Sequence, residues 1–262
     1  AEARAQEAAQ AQLAVESERL RNTLLASLSH DLRTPLTALA GLAESLPLAG
    51  PALPPAQAEL AEAIRAEALR THALARDLLD LARLQSERPR LALDWLAVED
   101  LVAGALQARA HALRGHTLNL ELPEELPLLQ ADAVLMERVI CNLLDNAIAH
   151  TPAGGHIALA VQADARAGSI AISVCDDGCG LPPAREQAIF ERFVRAPRQG
   201  AAAAAATGDA GTGLGLAIVR AIVEAHGGTV EARNRDRGGA CFILRLPFPP
   251  QPAHPPPEGA LT

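Results

Sequence analysis

The sequence predicts an α plus α/β protein: an antiparallel helical hairpin that dimerises into a four-helix bundle, followed by an α/β sandwich. Three observations carry this. Leu24, Leu25, Leu28, Leu32, Leu36, Leu39 and Leu42 recur at spacings of three and four, which is one broad apolar helix face. A second such run, Leu60, Ile64, Leu69, Leu74, Leu78 and Leu81, follows the breaker "PLAGPALPPAQ". From about Trp95 onward, helical patterns alternate with short strand-like runs.

Taken in order, residues 1–17 are rich in Ala, Gln, Glu and Arg and read as a solvated stalk helix or coiled coil. Residues 18–90 form the hairpin, its second helix running from about Ala58 to Ser86. Two helices with so wide an apolar face cannot cover it alone, and a second copy can, so a homodimer is expected. The change of texture at "ERPRLALDWLAV" marks a boundary, and residues 95–248 form the second domain. Its expected elements are helix 98–113, a strand near 116–121, helix 131–150 and strands at "HIALAVQA" and "SIAISVCDD". Helix 214–226 and strands at "TVEARN" and "ACFILRLPF" complete it. The tail 249–262 is Pro-rich and reads as disordered.

Composition excludes several functions. The 23 basic residues are all arginine, so the lysine-dependent P-loop mechanism is unavailable. A net charge of −8, with no basic patch among aromatics, argues against nucleic-acid binding. The four cysteines show no CxxC pair and read as reduced, buried thiols. No stretch is long and apolar enough to span a membrane, and no signal peptide is seen. The chain opens in mid-pattern, which reads as a fragment whose link to any membrane lies upstream.

Four stretches carry chemistry. "SHDLRTP" puts His30, Asp31 and Pro35 inside an otherwise leucine-rich helix. His30 and Thr34 are four apart and share a face, and Pro35, which cannot donate to the Asp31 carbonyl, should bend the helix there. "RVICNLLDNAIAHTP" places Asn142 and Asn146 on one helix face, where they suit Mg²⁺ and phosphate oxygens or an ordinary polar surface. "VCDDGCGLP" sets Asp176 at a strand end before two glycines: a carboxylate able to accept from an exocyclic amine, or a plain turn. "GTGLGLAIVRAIVEAHGG" is a glycine loop entering a helix, whose free N–H groups suit phosphate. The low-complexity "QGAAAAAATGDAG" between the last two reads as a mobile lid.

In order, SHDLRTP, NLLDNA, DDGCGL, IFERFVR and GTGLGLAIV resemble the H, N, G1, F and G2 boxes of bacterial sensor histidine kinases. The resemblance covers about residues 18–248 and looks most like the Kdp-type, potassium-responsive branch. It implies a dimeric helical bundle joined to a Bergerat-type ATP-binding sandwich. It also implies ATP-dependent autophosphorylation on His30, then transfer to an Asp of a response regulator's receiver domain, with phosphatase activity towards it. His30 would be the nucleophile, Asp31 its proton acceptor, Arg33 a charge partner and Thr34 a positioner of water for dephosphorylation. Asn142 and Asn146 would hold Mg²⁺ and phosphate, and Asp176 would read adenine. Gly178, Gly180, Gly211, Thr212, Gly213, Leu214 and Gly215 would line nucleotide and lid. Phe190 and Phe193 would anchor the lid, and Arg195 would touch phosphate. Related ATPases carry a general-base Glu in the region of Asn142, so this site would hold ATP for His30 rather than hydrolyse it. Two departures stand out: Ala149, where the family often has a cation, and Val194, where it has an aromatic. Ala149 and the unusual Ala-rich lid motivate one alternative, a scaffold that binds the regulator without phosphotransfer. The implied location is the cytoplasmic part of a membrane sensor.

Overall fold

The computed structural model describes Ser27 and residues 31–50, 53–84, 91–182, 185–192, 194, 213–236 and 238–250. The chain divides into two compact units at Pro89/Arg90.

The first unit is helical. Helix α1 covers residues 31–45 and passes through Pro35 without interruption; His30, beside which the bend was expected, lies outside the described residues. A 3₁₀ turn, Leu46–Leu48, ends it. Helix α2, Pro55–Leu84, begins three residues earlier than expected, because a proline at the first helical position needs no N–H. The hydrophobic pattern is inverted relative to a self-sufficient pair. Among the described residues, Ala40, Ala43, Ala61 and Ala68 are buried, with only Leu79 and Leu81 among the large side chains. Leu32, Leu39, Leu42, Leu60, Ile64, Leu69, Leu74 and Leu78 are exposed, a stripe far larger than scattered surface leucines produce.

The second unit is a mixed sheet with helices α3 (Val98–Ala108), α4 (Ala110–Leu113), α5 (Ala133–His150) and α6 (Gly215–Ala225). Its strands are β2 (Thr117–Glu121), β4 (His156–Asp164), β5 (Ser169–Asp176), β6 (Thr229–Asn234) and β7 (Ala240–Pro247). They lie in the order β2-β4-β5-β7-β6, with β2–β4 parallel and the rest antiparallel. Two strands of three residues, β1 (Asp94–Leu96) and β3 (Leu129–Ala131), pair separately. They are too short to show a period, which is why the sequence reading passed over them.

Alternation along the strands sends Ile157, Leu159, Ile170, Ile172, Val174, Phe242 and Leu244 into the core, all fully buried. From the helices, Met136, Ile140, Leu143 and Leu144 of α5 and Ile218 and Ile222 of α6 meet them. The expected helix 98–113 is broken at Arg109 (φ −108°, ψ 8°). That residue instead forks onto Asp145 of α5, with Nε donating to Oδ1 at 2.5 Å and Nη2 to Oδ2 at 2.9 Å. Helix α5 starts at Ala133, two residues later than expected, with Asp132 as its N-cap. The Asp132 carboxylate accepts from the N–H groups of Leu135 and Ala92, while its own N–H donates to His226 Nε2 at 3.0 Å.

The thiol expectation is corrected. Cys175 and Cys241 sit directly opposite one another on β5 and β7 and form a disulfide, with Cα atoms 4.0 Å apart. Separation of 66 residues hid a pairing that strand register creates. Cys141 is free and buried, and Cys179 is free but exposed.

Candidate nucleotide site

The site is built around the C-terminal end of β5. Period two along this strand buries Ile170, Ile172, Val174 and then Asp176, so a carboxylate takes the place of a fourth core side chain. Asp176 is 1% exposed. Its Oδ1 accepts from the N–H of Gly178 at 2.9 Å and of Ala240 at 3.2 Å. Among the described residues no hydrogen bond reaches Oδ2, which is therefore the oxygen left for a ligand. Burial pushes the Asp176 carboxyl above the ordinary carboxylate range. The two backbone N–H groups and the nearby charges of His150 and Arg235 pull part of the way back.

The glycines here answer to neighbouring chain. A Cβ on Gly178 would overlap the carbonyl of His150, at the end of α5. A Cβ on Gly180 (φ +73°) would lie 2.7 Å from Asn234 Oδ1. A Cβ on Gly239 (φ +87°) would overlap the Asp176 carbonyl. The β5 end is thus gripped from both sides. Arg235 Nη1 donates to the Asp176 carbonyl at 2.8 Å, and Asn234 bonds both backbone groups of Leu181.

Asn142 and Asn146 are both half-buried on one face of α5. Asn142 Nδ2 faces the Gly215 carbonyl at 3.4 Å, a long contact, and no bond to Asn146 is seen among the described residues. Gly215 opens α6, whose N-terminus has no side-chain cap; Gly213 (φ +72°) makes the turn into it. The N–H groups at the start of α6, a type of group that suits phosphate, and the Asn142 amide are therefore neighbours. Their oxygens are neutral, which fits a Mg²⁺ ion held mainly by phosphate and water and steadied by amide oxygen. Among the described residues no group of three or more His, Cys, Asp or Glu is placed to hold a metal.

Other expected site residues fall as follows. Phe190 is buried and meets Phe242 of β7 edge to face, centroids 6.3 Å apart. Leu214 is fully buried, so only its backbone is available to a ligand. Ala149 is exposed and supplies no cation. Asp31, Arg33 and Thr34 are exposed on α1, and Ser27 Oγ donates to Asp31 Oδ2 at 3.2 Å. His30, Phe193, Arg195, Gly211 and Thr212, together with the whole Ala-rich segment, lie outside the described residues.

The sequence reading missed Asn234 and Arg235. "NRDRGGA" signals a hairpin turn through its glycines, but nothing in it announces contacts 53 and 59 residues away.

Two family models match: His Kinase A (phospho-acceptor) domain over residues 20–87, and histidine kinase-, DNA gyrase B-, and HSP90-like ATPase over residues 131–250. The chain belongs to the sensor histidine kinases. Its domains are those of a protein-histidine kinase, a helical phospho-acceptor domain plus an ATPase-type α/β sandwich. This histidine kinase is 45% identical to "Sensor protein KdpD" of Escherichia coli over 91% of its own length and 26% of the relative's. It is 32% identical to the Clostridium acetobutylicum protein of the same name, over 89% of its length and 25% of that protein. The expected likeness to Kdp-type sensors is thus met, and the chain spans about a quarter of those relatives. Among solved structures it is similar to full-length ShkA in complex with AMPPNP. There the TM-score is 0.71 at 30% identity, covering 86% of this chain and 46% of that one. It also matches the catalytic domain of histidine kinase ThkA, with a TM-score of 0.51 at 25% identity, over 60% of this chain and 99% of that domain. No helix among the described residues is long and apolar enough to cross a membrane.

Proposed function

We infer that this histidine kinase holds Mg²⁺-ATP at the β5–α5–α6 site and transfers its γ-phosphoryl group to His30. The neutral His30 imidazole attacks the γ-phosphorus, ADP leaves, and Asp31 accepts the imidazole proton. The phosphoryl group then passes to an aspartate on a response regulator's receiver domain, and Thr34 positions water for the reverse, phosphatase step. The observation that carries the reading is Asp176: a buried carboxylate with one oxygen locked by two backbone N–H groups and the other left for an adenine amine. Asn142 and Asn146 serve Mg²⁺ and phosphate, with Gly178, Gly180, Gly213, Leu214 and Gly215 lining the nucleotide through their backbones. Gly211, Thr212, Phe193 and Arg195 complete the lid side, and Phe190 anchors it. Transfer here depends on positioning and electrostatics, because the site offers amides where a hydrolase needs a strong base.

The exposed leucine stripe of α1 and α2 supports a homodimer, which buries it as a four-helix bundle. The parent protein is read as a membrane sensor, of which this is the cytoplasmic part. The test uses γ-labelled ATP. Wild type should acquire acid-labile, base-stable label, His30→Gln should acquire none while still binding ATP, and a receiver domain should remove the label. Label persisting on His30→Gln refutes the nucleophile; ATP binding without label on wild type favours the scaffold alternative.

A further inference from the structure

We propose that Asn234 is a positioning residue for nucleotide binding, acting through the loop that follows Asp176. The proposal rests on the nucleotide-site reading above and adds a residue to it.

Asn234 closes β6, an edge strand, and its side chain leaves the sheet. Its carboxamide bonds both backbone groups of one residue, Leu181. The Leu181 N–H donates to Asn234 Oδ1 at 2.6 Å, and Asn234 Nδ2 donates to the Leu181 carbonyl at 3.1 Å. A two-point bond from a planar amide fixes both the position and the tilt of the peptide it holds. The loop makes room for it: Gly180 adopts φ +73°, and the Cβ it lacks would stand 2.7 Å from Asn234 Oδ1. The second glycine of "DDGCG" is therefore required by Asn234, not only by a ligand.

The clamp is joined to Asp176 by a short path. Residue 235 donates from Nη1 to the Asp176 carbonyl, and its N–H bonds the Gly239 carbonyl at 3.0 Å, closing the turn. The N–H of Ala240, at the far end of that turn, holds Asp176 Oδ1. One hairpin turn thus carries three grips on the strand end and the loop leaving it: Asn234 on Leu181, Arg235 on the Asp176 carbonyl, and Ala240 on the Asp176 carboxylate. Of these, only the Asn234 grip is a side chain acting on the loop beyond Gly178 and Gly180. Because Asn234 is exposed on an edge strand and outside the core, its removal should loosen the loop and leave the fold standing.

The experiment compares Asn234→Ala, Asn234→Asp and Asp176→Asn in the whole chain. Fluorescent ADP gives affinity, single-turnover labelling at saturating ATP gives the transfer rate, and Trp95 fluorescence in urea gives stability. Asn234→Ala should bind nucleotide about tenfold more weakly, as expected for losing two neutral hydrogen bonds that order a binding loop. Its transfer rate at saturation should stay within about twofold of wild type, and its urea midpoint near wild type. Asn234→Asp keeps the acceptor for the 2.6 Å bond but sets a carboxylate oxygen against the Leu181 carbonyl, so its affinity should also fall below wild type. Wild-type affinity in Asn234→Ala, with Asp176→Asn impaired, overturns the clamp and leaves the site reading intact. Wild-type affinity in Asp176→Asn overturns the site reading itself. A collapsed urea midpoint in Asn234→Ala, with unchanged affinity of its folded fraction, makes the residue merely structural and also overturns the proposal.

Discussion

Asparagine and alanine at Asp176 separate what the side chain does for the fold from what it does for a ligand. Asp176→Ala removes the Oδ1 acceptor from two N–H groups, those of Gly178 and Ala240. Each orphaned buried donor costs about 1–3 kcal/mol, and Gly178 is partly open to water, so the sum is about 2–5 kcal/mol. Asp176→Asn keeps an oxygen at that position and should lose little. Burial raises the folded carboxyl above its unfolded value, so the fold holds that proton more tightly than the unfolded chain does. Stability is then greatest at acid pH and falls as pH rises through the folded pKa. The uncharged asparagine escapes that fall, and at neutral pH it should be at least as stable as wild type, an advantage that shrinks on acidification. Binding should run the other way. With its oxygen held by the two N–H groups, asparagine turns its NH₂ towards the ligand, so a donor faces the adenine amine donor. Losing a hydrogen bond to a charged acceptor is worth about 1.5–3 kcal/mol, roughly a 10- to 150-fold weaker affinity. The protein's single tryptophan, Trp95 in β1, reports unfolding of this unit in urea, and titration with fluorescent ADP reports binding. Asparagine proving less stable than alanine, or binding ADP as wild type does, would refute the geometry assigned to Oδ1 and Oδ2.

Two further outcomes are expected. Gly239→Ala must place a side chain at φ +87° and drive its Cβ into the Asp176 carbonyl. The left-handed backbone alone costs about 1–2 kcal/mol and the overlap adds to it, so a loss above about 3 kcal/mol is expected by Trp95 fluorescence in urea; a loss below 1 kcal/mol contradicts the close approach. In the helical unit, Leu42→Glu together with Ile64→Glu puts charge on two exposed members of the leucine stripe. Light scattering after size exclusion should show the dimer becoming a monomer, and a wild type that is already monomeric would remove the reason given for the stripe.

What could be read in the sequence depended on how far apart the cooperating residues lie. The leucine spacings of α1 and α2, and the alternation of β5, are local periods, and each produced an element near its expected place. The same period two already implied that Asp176 would face inward with Ile170, Ile172 and Val174, so the burial of this acid was legible once the strand was. The partners that make the burial tolerable were not. Ala240 is 64 residues away and Arg235 is 59, and only the register of β7 against β5 brings them there. That same register hid the Cys175–Cys241 bond. The glycines show the limit most clearly. A glycine after a strand-end acid invites the reading that a ligand needs the space, and Gly178, Gly180 and Gly239 do border the site. Yet the atoms that would meet their missing Cβ groups belong to His150, Asn234 and Asp176, all parts of the chain itself. Sequence tells that a side chain is forbidden; only the fold tells what forbids it. Here it is the end of α5, the Asn234 side chain and the Asp176 carbonyl, a close packing that fixes a buried carboxylate in advance, and a group fixed in advance spares a ligand the cost of ordering it.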